Sequence, residues 1–413
     1  QTPLSPSAWG TDTAGPAETS KAAIWGGTTT FVDFANVTRP EKPRVVDAAF
    51  EHLGYFQGQS YADYSAHCTF FGRGTNTDTV GQIGELMAAG LPSLKVFTTN
   101  HAPRPGRPIT MIDAGQLADI MAQTAKHGGM VAVHAEDDET VQHNYALAQE
   151  RETWEWYYLP VIRSNLSEDL SVRRTVRIAE HAGSAMYIVH TSAREGVDAV
   201  AEARRRALPV YAETILLYCS FNSENYMEPD GMKYHTYPST KSETDRLRLW
   251  DGLVNGDISI LATDSIATTY AEKTRGRTVV DVQGGNIGIE LRMSVGYSDG
   301  VVKRGMSLER FAEITATNPA KLLGFYPRKG ILAVGSDADI TILDPEIRKK
   351  VSVNELHLRD YSPWDGWDVT GWPTTVILRG KVMVEDNKFF GELTDGQLIH
   401  RKIDGSVLRS PAF

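Results

Sequence analysis

Leu94-Lys95-Val96-Phe97 sets a lysine inside an apolar, β-branched run that follows Gly90-Leu91-Pro92 and ends at Thr98-Thr99-Asn100. Such a run reads as a short buried strand of a parallel sheet. Burying its ammonium costs several kcal/mol unless the charge is paired or removed. A lysine near a strand end ordinarily snorkels to water or meets a carboxylate. How the neighbouring strands end decides between that reading and a functional one.

Six further runs are short, apolar and rich in β-formers: Thr28–Phe34, Ser65–Phe71, Met130–His134, Met186–His190, Val210–Thr214 and Ile258–Asp264. Segments able to form helices separate them, which is the pattern of βα units and a parallel sheet. Their C-terminal ends carry Lys95, His134, His190, Glu213 and Asp264. The predicted fold is α/β, a (β/α)8 TIM-like barrel whose active site lies at that end of the strands. Seven strands are counted where a closed barrel has eight, so the first strand is expected to be missing from the sequence.

The barrel is expected over residues 1–328, opening with a polar loop at Gln1–Pro16 and a helix at Ala17–Trp25 stopped by Gly26-Gly27. Helices are predicted at Pro43–Leu53, Thr79–Ala89, Ala114–His127, Asp169–His181, Glu195–Ala207, Glu243–Val254 and Ser307–Leu323. An extra stretch between Asp137 and Asn165 holds Thr153-Trp154-Glu155-Trp156-Tyr157-Tyr158, aromatics suited either to a substrate mouth or to packing. Beyond Gly324 the texture changes. Gly330–Leu332, Asp339–Leu343, Thr374–Arg379 and Lys381–Glu385 read as short strands of a small β-sandwich over 329–388, with a hairpin turning near Gly380. Residues 389–413 form a mixed, polar tail, expected as surface or an oligomer contact.

At 413 residues, with 41% hydrophobic residues, the chain has ample core for a globular protein. A formal charge of -10 argues against nucleic acid or an anionic membrane as a general partner. Cys68 and Cys219, the only two cysteines, offer neither a disulfide framework nor a Cys-rich zinc site. No apolar run reaches membrane-spanning length, and a cytoplasmic location is the expectation.

Val131-Ala132-Val133-His134 and Tyr187-Ile188-Val189-His190 close two strands in the same apolar-then-histidine pattern. Imidazoles and carboxylates are the usual ligands of Zn²⁺ and related ions. A lysine facing two such ions is stable only once its charge is reversed, and reaction with CO2 to a carbamate does that. The carbamate then bridges the pair, and a bridging water ionises near neutral pH to attack a carbonyl. Asp264 suits both metal binding and proton transfer to the leaving nitrogen.

Gly26–Phe34 (GGTTTFVDF), Leu94–Phe97 (LKVF), Val133–Glu136 (VHAE), Val189–Ser192 (VHTS), Glu213-Thr214, Leu249–Asp257 (LWDGLVNGD), Ala262–Asp264 (ATD), Gly335–Asp339 (GSDAD) and Val369–Pro373 (VTGWP) stand in the order found in cyclic-amide amidohydrolases. Across nearly its whole length the chain resembles the hydantoinase/dihydropyrimidinase family. The resemblance implies carbamylated Lys95 as a metal bridge and His134 and His190 on the second metal. It also implies Asp264 on the first metal as catalytic acid/base, two divalent ions with zinc the leading choice, and a homo-oligomer, commonly a tetramer, otherwise a dimer. The family's His-x-His, two ligands of the first metal, is absent from the sequence, which reads as a product lacking its N-terminal segment. Where close hydantoinases carry a tyrosine that polarises the scissile carbonyl, this chain has Asn100; His101 and Tyr237 are further candidates for that contact. The segment that grips the cyclic amide reads Tyr234-His235-Thr236-Tyr237-Pro238-Ser239, and the asparagine of the Gly-rich loop stands displaced at Asn286. The expected activity is opening of a cyclic amide or ureide C–N bond. The alternatives are an allantoinase-like or noncyclic amide or carbamate hydrolase on the same metal site, and an inactive oligomeric scaffold.

Overall fold

The computed structural model describes residues 13–100 and 109–413. Seven strands form one parallel sheet in sequence order: β1 (Thr30–Asn36), β2 (Asp63–Thr69), β3 (Ser93–Phe97), β4 (Met130–His134), β5 (Met186–Ile188), β6 (Val210–Ile215) and β7 (Ile260–Ala262). Each pairs with the next, and β1 and β7 form the two edges of the curled sheet. All seven expected strands are present, and the sheet is of the TIM-barrel type. Every residue of β3 and β4 is buried, because a parallel strand is covered by side chains within and helices without.

The helices follow from amphipathic spacing closed by caps. Asp113 accepts the Gln116 amide at 2.8 Å in a reciprocal capping box, and the helix runs over Ala114–Lys126. Ser164 caps Asn165–Ala182, which Gly183 ends in the left-handed region. Two expectations change. Thr79–Ala89 divides into Thr77–Gly81 and Ile83–Ala88, because two glycines there weaken a continuous helix. Gly330–Leu332 is bend and coil rather than strand, and Leu332 is 75% exposed without a pairing partner among the described residues.

The second sheet is antiparallel, in the order β11-β10-β9-β8, built from β8 (Ile340–Lys350), β9 (Asp368–Leu378), β10 (Lys381–Glu385) and β11 (Lys388–Phe389). The expected hairpin is β9–β10, turning at Gly380, whose φ is +84°. Charged side chains clasp it to the large sheet: buried Asp63 takes Arg379 and, at 2.8 Å, Lys329. The tail is no free surface strand. The Tyr64 amide donates to Gln397, Ile399 donates back to Tyr64, and buried Arg401 reaches Ser65 and Ala66. The Trp154–Tyr158 aromatics pack: Trp156 donates to the Tyr226 carbonyl at 2.9 Å and all three rings of Trp156–Tyr158 rest on a buried apolar cluster.

Candidate active site

Period-two alternation puts Lys95 and Phe97 of β3 on the inner face of the sheet. Lys95 is 2% exposed, so its ammonium is withdrawn from bulk water. Its Nζ lies 4.8 Å from the Phe97 ring centroid and 5.5 Å from that of Phe34. Among the described residues no oxygen accepts a hydrogen bond from it. Burial pulls its pKa down to about 7, with Asp264 and Glu213 opposing the fall. Glu213, in the second half of β6, is displaced the other way, to about 8, by burial and by the charge of Asp264. Phe34, His67, Tyr187, Glu213 and Asp264 line a cavity of about 200 Å³ next to this lysine.

His134 ends β4 opposite Phe97, and its ring faces that phenyl at 5.2 Å. The two strand-end histidines meet: His134 Nδ1 and His190 Nε2 are 3.0 Å apart. Burial lowers the pKa of both, and Lys95 adds to the effect, so both imidazoles are neutral and able to ligate. β5 stops at Ile188, two residues before His190, because the backbone turns there: His190 has a φ of +40°. Asp264 shows the same feature after β7, with a φ of +43°. Non-glycine residues in this region carry strain, and such strain gathers at functional sites.

Sequence reading passed over what stands behind His134. Glu136 is fully buried and its Oε2 lies 2.7 Å from His134 Nε2. Arg163, 1% exposed, donates from Nη1 to the same oxygen. Burial works against the charge of Glu136, but Arg163 and His134 outweigh it and hold the carboxyl at about 2. An anionic carboxylate on Nε2 fixes the proton there and turns Nδ1 toward His190, the arrangement of carboxylate–histidine–metal sites. Glu136 sits two residues after His134, which was a usable cue; Arg163 is reached only through the fold.

The three candidate substrate contacts are placed differently from one another. Asn100 turns its amide into the protein: Oδ1 accepts the amides of Thr110 and Met111 at 3.1 and 3.2 Å, and Nδ2 is 3.4 Å from Asp138. Asn286 is buried and its Nδ2 donates to the carbonyls of Thr263 and Asp264, both at 3.0 Å, clamping the strained turn at the acid. Tyr237 is half-buried, with the Arg163 guanidinium 4.4 Å from its ring centroid and His235 edge-on at 4.5 Å. His101 lies outside the described residues.

His134 and His190 therefore bring two ring nitrogens face to face, a pair that could hold a metal ion. Lys95 and Asp264 share the same electrostatic cluster. Among the described residues no three His, Cys, Asp or Glu side chains converge on one point, so the fit to a metal ion rests on the imidazole pair.

Comparison with known proteins identifies the family. The sequence profile of the amidohydrolase family matches residues 14–383. A D-hydantoinase of Ralstonia pickettii is 33% identical over 393 residues, covering 94% of this chain and 83% of that protein. A D-phenylhydantoinase of Escherichia coli is 30% identical, covering 93% and 82%. Among solved structures, a dihydropyrimidinase from Brevibacillus agri superposes with a TM-score of 0.89 at 30% identity, covering 95% of this chain and 85% of that one. A D-hydantoinase from a Bacillus species also gives 0.89 at 30% identity, covering 96% and 86%. The chain belongs to the amidohydrolase family, in its metal-dependent hydantoinase/dihydropyrimidinase branch.

Proposed function

We propose that this protein hydrolyses a C–N bond in a cyclic amide or ureide at the mouth formed by β3, β4, β5 and β7. The observation that carries the reading is the pair of neutral, buried imidazoles of His134 and His190, opposed at 3.0 Å beside a buried lysine. These two histidines, Lys95 as its carbamate, and Asp264 would hold two divalent ions, for which we assign zinc. When bound, such ions polarise the substrate carbonyl and make a water acidic enough to ionise near pH 7.

The chain's own groups supply the rest. Asp264 accepts the proton of the attacking water as the C–O bond forms. It returns that proton to the ring nitrogen as the C–N bond breaks, leaving an open-chain acid. The Asn286 clamp fixes the backbone that aims this carboxylate. Asn100 is turned inward by its hydrogen bonds, so the hydrogen bond to the developing oxyanion is assigned to the hydroxyl of Tyr237, which would exchange its long 3.5 Å contact with the Val282 carbonyl for it. Buried, free Cys68 and Cys219 suit a reducing, cytoplasmic setting, and we assign a dimeric or tetrameric assembly, which light scattering would read directly.

The test is ring opening of hydantoin, 5-substituted hydantoins, dihydrouracil, allantoin and succinimide by protein supplied with zinc and bicarbonate. At least one cyclic substrate is expected to turn over, and His190→Ala to abolish that turnover. Metal-replete protein that opens none of these rings would contradict the proposal.

A further inference from the structure

Lys273 is fully buried in the short helix Tyr270–Lys273, where burial pulls its pKa down to about 7 and no carboxylate pairs with it among the described residues. Its ammonium instead donates to three backbone carbonyls: His235, Gln283 at 2.8 Å and Gly285 at 2.5 Å. A lysine ammonium has three N–H donors and no acceptor, so this carbonyl ring satisfies it completely. Two of those carbonyls belong to the loop that carries Asn286; the third lies two residues before Tyr237. Gly285 has a φ of +109°, and a Cβ there would come within 2.8 Å of the Ile266 side chain. The loop is thus held in a conformation that only glycine adopts easily, its carbonyl turned to the lysine.

The two segments are otherwise far apart in the chain, and each touches one side of the reaction. One presents Tyr237, stacked against Arg163. The other, through Asn286, holds the carbonyls of Thr263 and Asp264. We propose that Lys273 is a positioning residue: its ammonium staples the Tyr237 loop to the Asn286 loop and so sets the distance between oxyanion donor and proton-transfer carboxylate. The group acts through backbone and touches no substrate. The catalytic part of this proposal rests on the cyclic-amide hydrolase reading, whereas the staple itself is physical and is read without any substrate.

Lys273→Met keeps the aliphatic length and removes all three donors. Its kcat is expected to fall about a hundredfold, the scale of one misplaced oxyanion contact, with the His134/His190 metal content unchanged. In Lys273→Ala, ethylammonium should restore kcat at least about tenfold through its charge-assisted hydrogen bonds; tetramethylammonium, which has no N–H, should restore nothing. Wild-type kcat in Lys273→Met, or equal rescue by both cations, overturns the positioning role. If neither variant folds, hydrogen exchange on the intact protein decides. Amides of 234–237 and 283–286 should then open together at one rate, and independent opening of the two loops overturns the staple.

Discussion

The wall made by β3, β4 and β5 and the edge at β7 hold their reactive groups by different means. On the wall, Lys95 and His134 sit inside or at the end of strands, and His190 two residues beyond one, so the ladder itself fixes their spacing. Behind His134 the Glu136–Arg163 pair locks one tautomer. At the edge, Asp264 lies in a strained turn two residues past a three-residue strand, and its carbonyl hangs on Asn286 from a loop more than twenty residues on. On the proposed reading most of the metal affinity would lie in the wall, and proton transfer would depend on loops that must be aimed.

The largest break in that comparison is Lys95→Ala. It should remove metal and turnover together, with partial rescue by short carboxylic acids that replace the carbamate; metal analysis with unchanged metal would separate the lysine from the wall. Asp264→Asn comes next. It should keep the ion on His134 and His190 while turnover falls about 10²–10⁴-fold, the range for a positioned acid/base, and a fully active variant would deny the edge its role. Glu136→Gln sharpens the contrast from the other side. Losing the anion behind His134 should weaken metal affinity about 10–100-fold, measured by competition with a chelator, while activity at saturating metal is largely kept.

The smallest effect concerns stability. Glu168 is buried behind the His190 loop, where it accepts the amides of Ser192 and Ala193 at 3.0 and 2.9 Å. Burial raises its pKa to about 7, with Lys241 and those donors opposing. The folded state therefore holds this proton more tightly than the unfolded chain. The associated stability is complete below the ordinary glutamate range and is lost as pH rises toward and through 7. Urea midpoints measured from pH 4.5 to 8 should decline more in wild type than in Glu168→Gln; parallel curves would dismiss the effect.

The wall was legible in sequence for the same reason that it is rigid. A strand puts chemistry and pattern in one short window, so the runs carrying Lys95, His134 and His190 announced the sheet and the groups of the candidate site. Arg163 and Lys273 sit in neither pattern: each is one charged residue in a connecting segment, and its meaning depends on carbonyls and carboxylates brought near by closure of the fold. Asn286 was singled out for substrate contact; its Nδ2 holds two carbonyls, and residue type alone reveals hydrogen-bonding capacity but not direction. Gly330–Leu332 has strand composition without a partner, and composition alone makes no ladder.

The most direct test of the wall is an anomalous-scattering map from crystals grown with zinc. The account predicts a peak within bonding distance, about 2.0–2.1 Å, of both His134 Nδ1 and His190 Nε2, with branched density on Lys95 Nζ. Zinc-saturated crystals showing the two imidazoles hydrogen-bonded to each other, no peak between them and an unmodified lysine would contradict it.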